Sequence, residues 1–229
     1  MRILSTMLIT AGVVVLVDVG ITLAYEEPIS SLYGEIQQSN AVDQLNQLES
    51  RYPIAAELRA IAHVHGLRAK VRVLARRFAP QAKSGHGIGR IIAPAMDGLN
   101  EVFVEGTDTS NLQKGPGHYP QTPFPGEGGT VGIAGHRTTY LAPFRHIDSM
   151  QRGDDVTLEM PYATLTYRVQ GTRVVDPGDV GIVRRVGYER LVLTACHPLY
   201  SASQRFVVFA RLERVARFDA ARGGHWPAN

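Results

Sequence analysis

Residues 191–205 read LVLTACHPLYSASQR, a run that turns from apolar to polar at the only cysteine of the chain. Its apolar half predicts a β-strand over 190–194 that ends just before Cys196. Pro198 follows two residues later and cannot continue the hydrogen bonding of a strand. A second strand is predicted to begin at Arg205. This pattern places a thiol where the wall of a sheet opens into a loop, which is a usable position for a nucleophile.

Short β-rich runs separated by Gly and Pro extend over residues 87–214. Strands are predicted at 89–92, 101–105, 130–134, 155–160, 165–175, 190–194 and 205–212. Seven or eight such strands favour a closed or nearly closed barrel, because closure removes the unpaired edges of a sheet. The fold class is therefore predicted to be mainly β, with one barrel domain at residues 87–214.

The N-terminal segment has a different composition. Residues 3–24 are apolar except for Asp18 and a few hydroxyl side chains, which predicts a transmembrane anchor over residues 1–25. A cleaved signal peptide is disfavoured, since the segment is long and lacks a small-x-small exit. Arg2 before the segment and Glu26 and Glu27 after it predict that the rest of the chain lies outside the cell. We expect a single-pass protein of the cell membrane that contacts lipid through this helix, with its catalytic domain extracellular.

Residues 26–86 are predicted to form a helical stalk, because apolar residues recur there at helical spacing. Basic side chains concentrate in its second half: Arg59, Arg68, Lys70, Arg72, Arg76, Arg77 and Lys83. They could contact an anionic lipid or an anionic wall polymer, or they could form a solvated helix face. Residues 215–229 contain two adjacent glycines and a proline and are predicted to be a loose tail.

Composition excludes several classes of function. The chain has 24 Lys and Arg against 21 Asp and Glu, a balance too even to indicate nucleic acid as a partner. A single cysteine excludes an internal disulfide framework and a cysteine-based zinc site. His118 and His197 do not recur with other donors at metal-ligand spacing. No metal and no cofactor are therefore predicted.

Three side chains could cooperate in chemistry at strand ends. A cysteine attacks as the thiolate, so it needs a proton acceptor and a donor that stabilises the oxyanion. His136 follows the predicted strand 130–134, and Arg205 opens the strand after the cysteine loop. Taken singly, Cys196, His136 and Arg205 would more often be a core residue, a loop histidine and a rim charge. Their occurrence together at three strand ends of one domain favours catalysis.

Five segments resemble the sortases in order and spacing, most closely the class E type of high-GC Gram-positive bacteria. They are GPGHY at 115–119, PGEGG at 125–129, AGHRT at 134–138, LTACHP at 193–198 and QR at 204–205. The resemblance implies an eight-stranded sortase-type barrel. It also implies that Cys196 is the nucleophile, His136 the general acid and base, and Arg205 the stabiliser of oxyanion and substrate.

The resemblance implies a cysteine transpeptidase of the thiol protease type. Such an enzyme cleaves a C-terminal LPxTG-like or LAxTG-like sorting signal of a secreted protein between Thr and Gly. It then transfers the acyl group to an amine, here expected on a lipid-linked peptidoglycan precursor. These secreted proteins and this amine acceptor are the expected partners.

Substrate-binding roles are implied for Tyr119, Thr194 and Ala195. Tyr119 matches a tyrosine that class E sortases associate with a preference for Leu-Ala-x-Thr-Gly, although a packed loop aromatic is an equal alternative. Sortases usually have Thr-Leu-x-Thr-Cys at the nucleophile, whereas residues 192–196 read VLTAC. Ala195 thus replaces a threonine whose hydroxyl is expected near the substrate.

Two other classes of cysteine enzyme fit the sequence less well. An L,D-transpeptidase would show a Ser-His-Gly-Cys-x-x-Arg run, which this sequence lacks. In a papain-like peptidase the cysteine precedes the histidine, whereas His136 precedes Cys196. A non-enzymatic tethered β-domain with an inert thiol stays open as the alternative to an enzyme.

Overall fold

Helices precede the barrel in the computed structural model of the protein, which describes residues 2–25, 28–52 and 55–216. The helices are α1 Arg2–Tyr25, α2 Pro28–Glu49, α3 Ala55–Ile61 and α4 Leu67–Phe78, with the short α5 Thr109–Leu112 between two strands. Residues 217–229 of the predicted tail lie outside the described residues. The division of the chain into four domains stays a prediction, although the first strand does begin at Gly87.

Eight strands of the described residues form a closed barrel in the order β1-β2-β3-β4-β7-β8-β6-β5. They are β1 Gly87–Ala93, β2 Leu99–Glu105, β3 Gly117–His118, β4 Thr130–Ala134, β5 Asp155–Met160, β6 Ala163–Val175, β7 Arg190–His197 and β8 Gln204–Ala216. The prediction of a mainly β, eight-stranded barrel is confirmed. Only the two-residue β3 was not predicted.

Each strand turns one set of alternate side chains into the barrel. In β7, Leu191, Leu193 and Ala195 belong to the core, whereas Val192 packs on the other face of the sheet. Large aromatic side chains such as Phe103 and Tyr167 are fully buried inside. Each such side chain stabilises the fold by about 1.5–3 kcal/mol relative to exposure.

The helices of residues 26–86 lie against the barrel. Ala41 and Leu45 of α2 are buried together with Val102 and Val104 of β2. Helix α4 is amphipathic, and its apolar face, which includes Phe78, joins the main core. The segment predicted as a stalk therefore consists mainly of α2, α3 and α4 and packs on the barrel wall.

The predicted membrane span is not confirmed. Within the described part of the chain, no helix combines the length and the apolar content needed to cross a membrane. The exposed large apolar side chains described in α1 run from Ile3 to Val17.

Candidate active site

His136 and Cys196 reach the same end of the barrel because β4 and β7 are parallel neighbours. Ala134 is the register partner of Thr194, and the backbone N–H of Gly135 donates to the carbonyl of Thr194 at 3.0 Å. His136 and Cys196 each lie two residues beyond this pair. The two side chains therefore emerge side by side where β4 and β7 end.

Arg205 joins them from the other side of β7. Strand β8 runs antiparallel to β7, and Arg205 is the register partner of Cys196. Side chains of directly paired residues lie on the same face of a sheet. The structure thus brings together His136, Cys196 and Arg205 on one outer face of the barrel.

The thiol and the imidazole suit proton exchange. Cys196 is a free, partly exposed thiol. The Nε2 atom of His136 is buried and has no hydrogen-bond partner among the described residues. Burial also lowers the pKa of His136, because it penalises the charged imidazolium. The ring packs on Tyr140 with the centroids 5.3 Å apart, which fixes its orientation.

The guanidinium of Arg205 is held by the loop between β7 and β8. Its Nη1 donates to the carbonyls of Ala202 and Gln204, both at 2.9 Å. No hydrogen bond is found for its Nε and Nη2 groups within the described part of the chain. These groups can donate to an oxyanion or to a substrate carbonyl.

Arg137 is a functional candidate that the sequence analysis missed. The residue is only 3% exposed, and its Nη2 donates to the carboxylate of Asp148. Nη1 donates to Nδ1 of His197 at 3.2 Å and lies 3.5 Å from the carbonyl oxygen of Cys196. Arg137 therefore ties the segment after β4 to the end of β7, and so holds His136 relative to Cys196. The position of Arg137 directly after His136 indicated a possible role at the site. Arginine is rarely buried, however, so the sequence pattern did not predict its place inside the protein.

The loop after His136 adopts an uncommon backbone. Tyr140, Leu141 and Ala142 are consecutive residues in the left-handed region, with φ values of 50°, 66° and 43°. Helix α2 supports this loop, since a Cβ atom on Gly34 would lie 2.9 Å from Cγ of Leu141. Helix α2 thus contacts the segment that carries His136.

Tyr119 and Thr194 meet beside the nucleophile. The hydroxyl groups of the two residues are 2.8 Å apart, and Thr194 shares the outward face of β7 with Cys196. The Tyr119 ring lies on Gly132 of β4, where a Cβ atom would be only 2.5 Å from Cδ2 of the ring. Glycine at this position lets the tyrosine lie flat along the face that leads to Cys196.

Ala195 does not take part in this cleft. It is 3% exposed and packs in the core with Leu193, because successive side chains of a strand point to opposite faces. This corrects the prediction that Ala195 contacts the substrate. The methyl group in place of the usual hydroxyl lies inside the barrel.

The remaining polar candidates have structural contacts. His118 is fully buried, with Nδ1 2.8 Å from Oε2 of Glu105 and Nε2 3.1 Å from the hydroxyl of Thr122. Across residues 2–25, 28–52 and 55–216, no group of three or more His, Cys, Asp or Glu side chains could hold a metal ion.

Comparison with known proteins agrees with this geometry. Residues 91–213 match the family described as the sortase domain. The chain is 35% identical to sortase D of Bacillus subtilis over 113 residues, which cover 48% of this chain and 56% of the relative. It therefore spans little more than half the length of that curated protein.

Two solved structures share the fold. Sortase E from Streptomyces avermitilis aligns with a TM-score of 0.54 at 32% identity, over 62% of this chain and 97% of that chain. A Clostridium perfringens sortase D5 transpeptidase aligns with a TM-score of 0.61 over 77% of this chain and 99% of that chain. At 23% identity, the second likeness concerns the fold alone.

Proposed function

The chain belongs to the sortase family, and from this premise we propose that it is a cysteine transpeptidase that cleaves a C-terminal sorting signal and transfers the acyl group to an amine. One observation carries the proposal. Strands β4, β7 and β8 place His136, Cys196 and Arg205 on one outer face at one end of the barrel. These three residue types supply the base, the nucleophile and the oxyanion donor that acyl transfer needs.

In the first half of the reaction, Nε2 of His136 takes the proton of the Cys196 thiol. The thiolate attacks the carbonyl carbon of the threonine in the sorting signal, and the N–H groups of Arg205 donate to the oxyanion. The C–N bond to glycine then breaks, and His136 gives its proton to the departing amine. A thioester between the threonine acyl group and Cys196 results.

In the second half, an acceptor amine attacks the thioester carbonyl. His136 takes the proton of the attacking nitrogen, the C–S bond breaks, and the thiolate of Cys196 is released. The new amide joins the secreted protein to the acceptor. We propose an amine of a lipid-linked peptidoglycan precursor as this acceptor.

The substrate is proposed to carry an LPxTG-like or LAxTG-like signal. Tyr119 supports this, since its hydroxyl is bonded to Thr194 on the face that leads to Cys196. A peptide laid along this face would contact the tyrosine before its threonine reaches the thiol. In class E sortases such a tyrosine is associated with a preference for alanine at the second position of the signal. Leu-Ala-x-Thr-Gly is therefore the first peptide to test.

We propose a location at the cell membrane, with the barrel on the extracellular side. The exposed apolar side chains between Ile3 and Val17 support contact of α1 with lipid. A sorting-signal substrate and a lipid-linked acceptor would both be present at that surface.

The experiment uses the purified full chain in a neutral detergent with a sorting-signal peptide and triglycine. Mass spectrometry should show cleavage between Thr and Gly and an amide bond to triglycine. His136→Ala should lower the rate by at least about 100-fold, the lower range for a lost general acid and base. The control His146→Ala changes a histidine side chain that is 54% exposed and should leave the rate unchanged. Cleavage at another bond, or equal rates for the two variants, would refute the proposal.

An L,D-transpeptidase and a non-enzymatic β-domain are not favoured. Neither would account for the sortase domain match over residues 91–213. An inert thiol would also be expected in the core, whereas Cys196 is partly exposed.

A further inference from the structure

A cavity of about 600 Å³ lies between helix α4 and the barrel, away from the catalytic cleft. Its walls include Gly129, which precedes β4, and Glu189, which precedes β7. Cys196 lies seven residues beyond Glu189 along β7, which corresponds to roughly 20 Å of extended strand. The cavity is therefore at the opposite end of β7 from the thiol.

Arginine dominates the walls of this cavity. Arg68, Arg72 and Arg76 line it from α4, and Arg185 and Arg211 line it from the barrel. Only two carboxylates, Glu127 and Glu189, stand against these five arginines among the lining residues. An excess of positive charge on two facing walls attracts an anion to the space between them.

The two carboxylates offset this positive charge only in part. Oε1 of Glu189 accepts hydrogen bonds from the Tyr167 hydroxyl and from the backbone N–H of Gly126, both at 2.7 Å. Oε2 of Glu127 accepts from the backbone N–H of Phe124 at 3.3 Å. Its Oε1 lies 3.7 Å from Nε of Arg76, which is a long ion pair. Five arginines against two carboxylates therefore leave a formal excess of three positive charges among the lining residues.

Several guanidinium groups are available to a ligand. Within the described part of the chain, neither Arg72 nor Arg185 has an ion-pair or hydrogen-bond partner, and both are exposed. The guanidinium of Arg211 lies 4.8 Å from the ring centroid of Tyr188, a contact that holds the arginine in place. The donors thus stand on both walls, with one of them held by an aromatic ring.

We infer that this cavity binds a phosphate-bearing anion, either a diphosphate or the phosphodiester of a lipid headgroup. Guanidinium groups donate two parallel hydrogen bonds to a phosphate, and several of them match a multiply charged group better than a single carboxylate. The volume admits a group larger than one phosphate ion. Such a ligand would hold the barrel by the end opposite Cys196. The inference does not depend on the proposed transpeptidation.

Isothermal titration calorimetry on the full chain in neutral detergent at low salt tests this inference. The probes are inorganic pyrophosphate and glycerophosphoglycerol, the phosphodiester headgroup of phosphatidylglycerol. We expect saturable binding of at least one probe, and tighter binding of one over the other identifies the source. The double variant Arg72→Ala/Arg185→Ala should weaken binding by at least about tenfold, since each loses charge-assisted hydrogen bonds.

The matched control is Arg59→Ala/Arg152→Ala, which removes two exposed arginines outside the cavity. It should bind the probe like the unchanged protein. An unchanged melting temperature without ligand shows that each variant is folded. Absence of binding by both probes, or an equal loss in the two double variants, would overturn the inference. Peptide cleavage is measured separately, so a failure of the proposed function leaves this result interpretable.

Discussion

Replacement of Gln38 by alanine should weaken the attachment of α2 to the barrel. The side-chain Nε2 of Gln38 donates to the carbonyls of Val102 at 3.0 Å and Lys114 at 2.8 Å, and its Oε1 accepts from the N–H of Val102 at 2.8 Å. The glutamine thus pairs with the backbone of β2 where the two-residue β3 is too short to do so. Alanine would leave three backbone groups without these partners.

The magnitude follows from the burial of those groups. Val102 is fully buried, so water does not readily replace the lost bonds to its N–H and C=O groups. A buried backbone group without a partner costs about 1–3 kcal/mol, so the two groups together cost about 2–6 kcal/mol. Lys114 is only partly buried, and water can satisfy its carbonyl. For a domain of this size, a loss of this order lowers the melting temperature by at least about 4 °C.

Thermal and urea unfolding of the full chain in neutral detergent measure this effect. Gln37→Ala is the matched control, because Gln37 is the neighbouring residue of α2 and makes no hydrogen bond that is described. Its free energy of unfolding should change by less than about 0.5 kcal/mol. Equal stability of the two variants would refute the pairing of α2 with β2.

Three further predictions concern the site. Tyr119→Phe removes the hydroxyl bonded to Thr194 and should raise KM for the signal peptide by up to about tenfold with little change in kcat; an unchanged KM in steady-state assays would argue against a substrate contact. Arg137→Ala should lower kcat by at least about tenfold at unchanged KM, because misplaced catalytic groups slow the chemical step. Arg137→Lys should restore only part of the lost kcat. A full recovery would show that the several hydrogen bonds of the guanidinium group are dispensable. An NMR titration of His136 should give a pKa below the ordinary 6.5, because burial disfavours the charged ring. The unfolded chain then binds more protons below about pH 6.5, so the free energy of unfolding falls as the pH drops. His136→Gln should remove this pH-dependent contribution. A pKa at or above 6.5 would contradict the burial of His136.

Local sequence patterns predicted the strands well where polar residues or glycines flank an apolar run. The predicted limits 130–134 and 155–160 agree with β4 and β5. Strand β3 gave no signal, because its two residues form a strand only through pairing with β2 and β4. The packing of α2 on β2 could not be predicted from local sequence either, because Gln38 and Val102 are 64 residues apart in the chain.

The candidate active site was likewise predictable only where it depends on residues close together in the chain. The neighbourhood of Cys196 and Arg205 followed from two strands joined by a short loop. The parallel pairing that brings His136 to Cys196 is a long-range contact, and local sequence does not encode its register. The inward direction of Ala195 could have been predicted, because a period of two that sends Cys196 and Thr194 outward sends Ala195 into the core.

Intact-protein mass spectrometry tests the central claim most directly. The full chain is mixed with a sorting-signal peptide in the absence of an acceptor amine and quenched in acid. We expect an added mass equal to the acyl part of the peptide, carried by Cys196 in a digest, discharged by triglycine and absent from Cys196→Ala. An adduct on another residue, or undiminished peptide cleavage by Cys196→Ala, would contradict the assignment of Cys196 as the nucleophile.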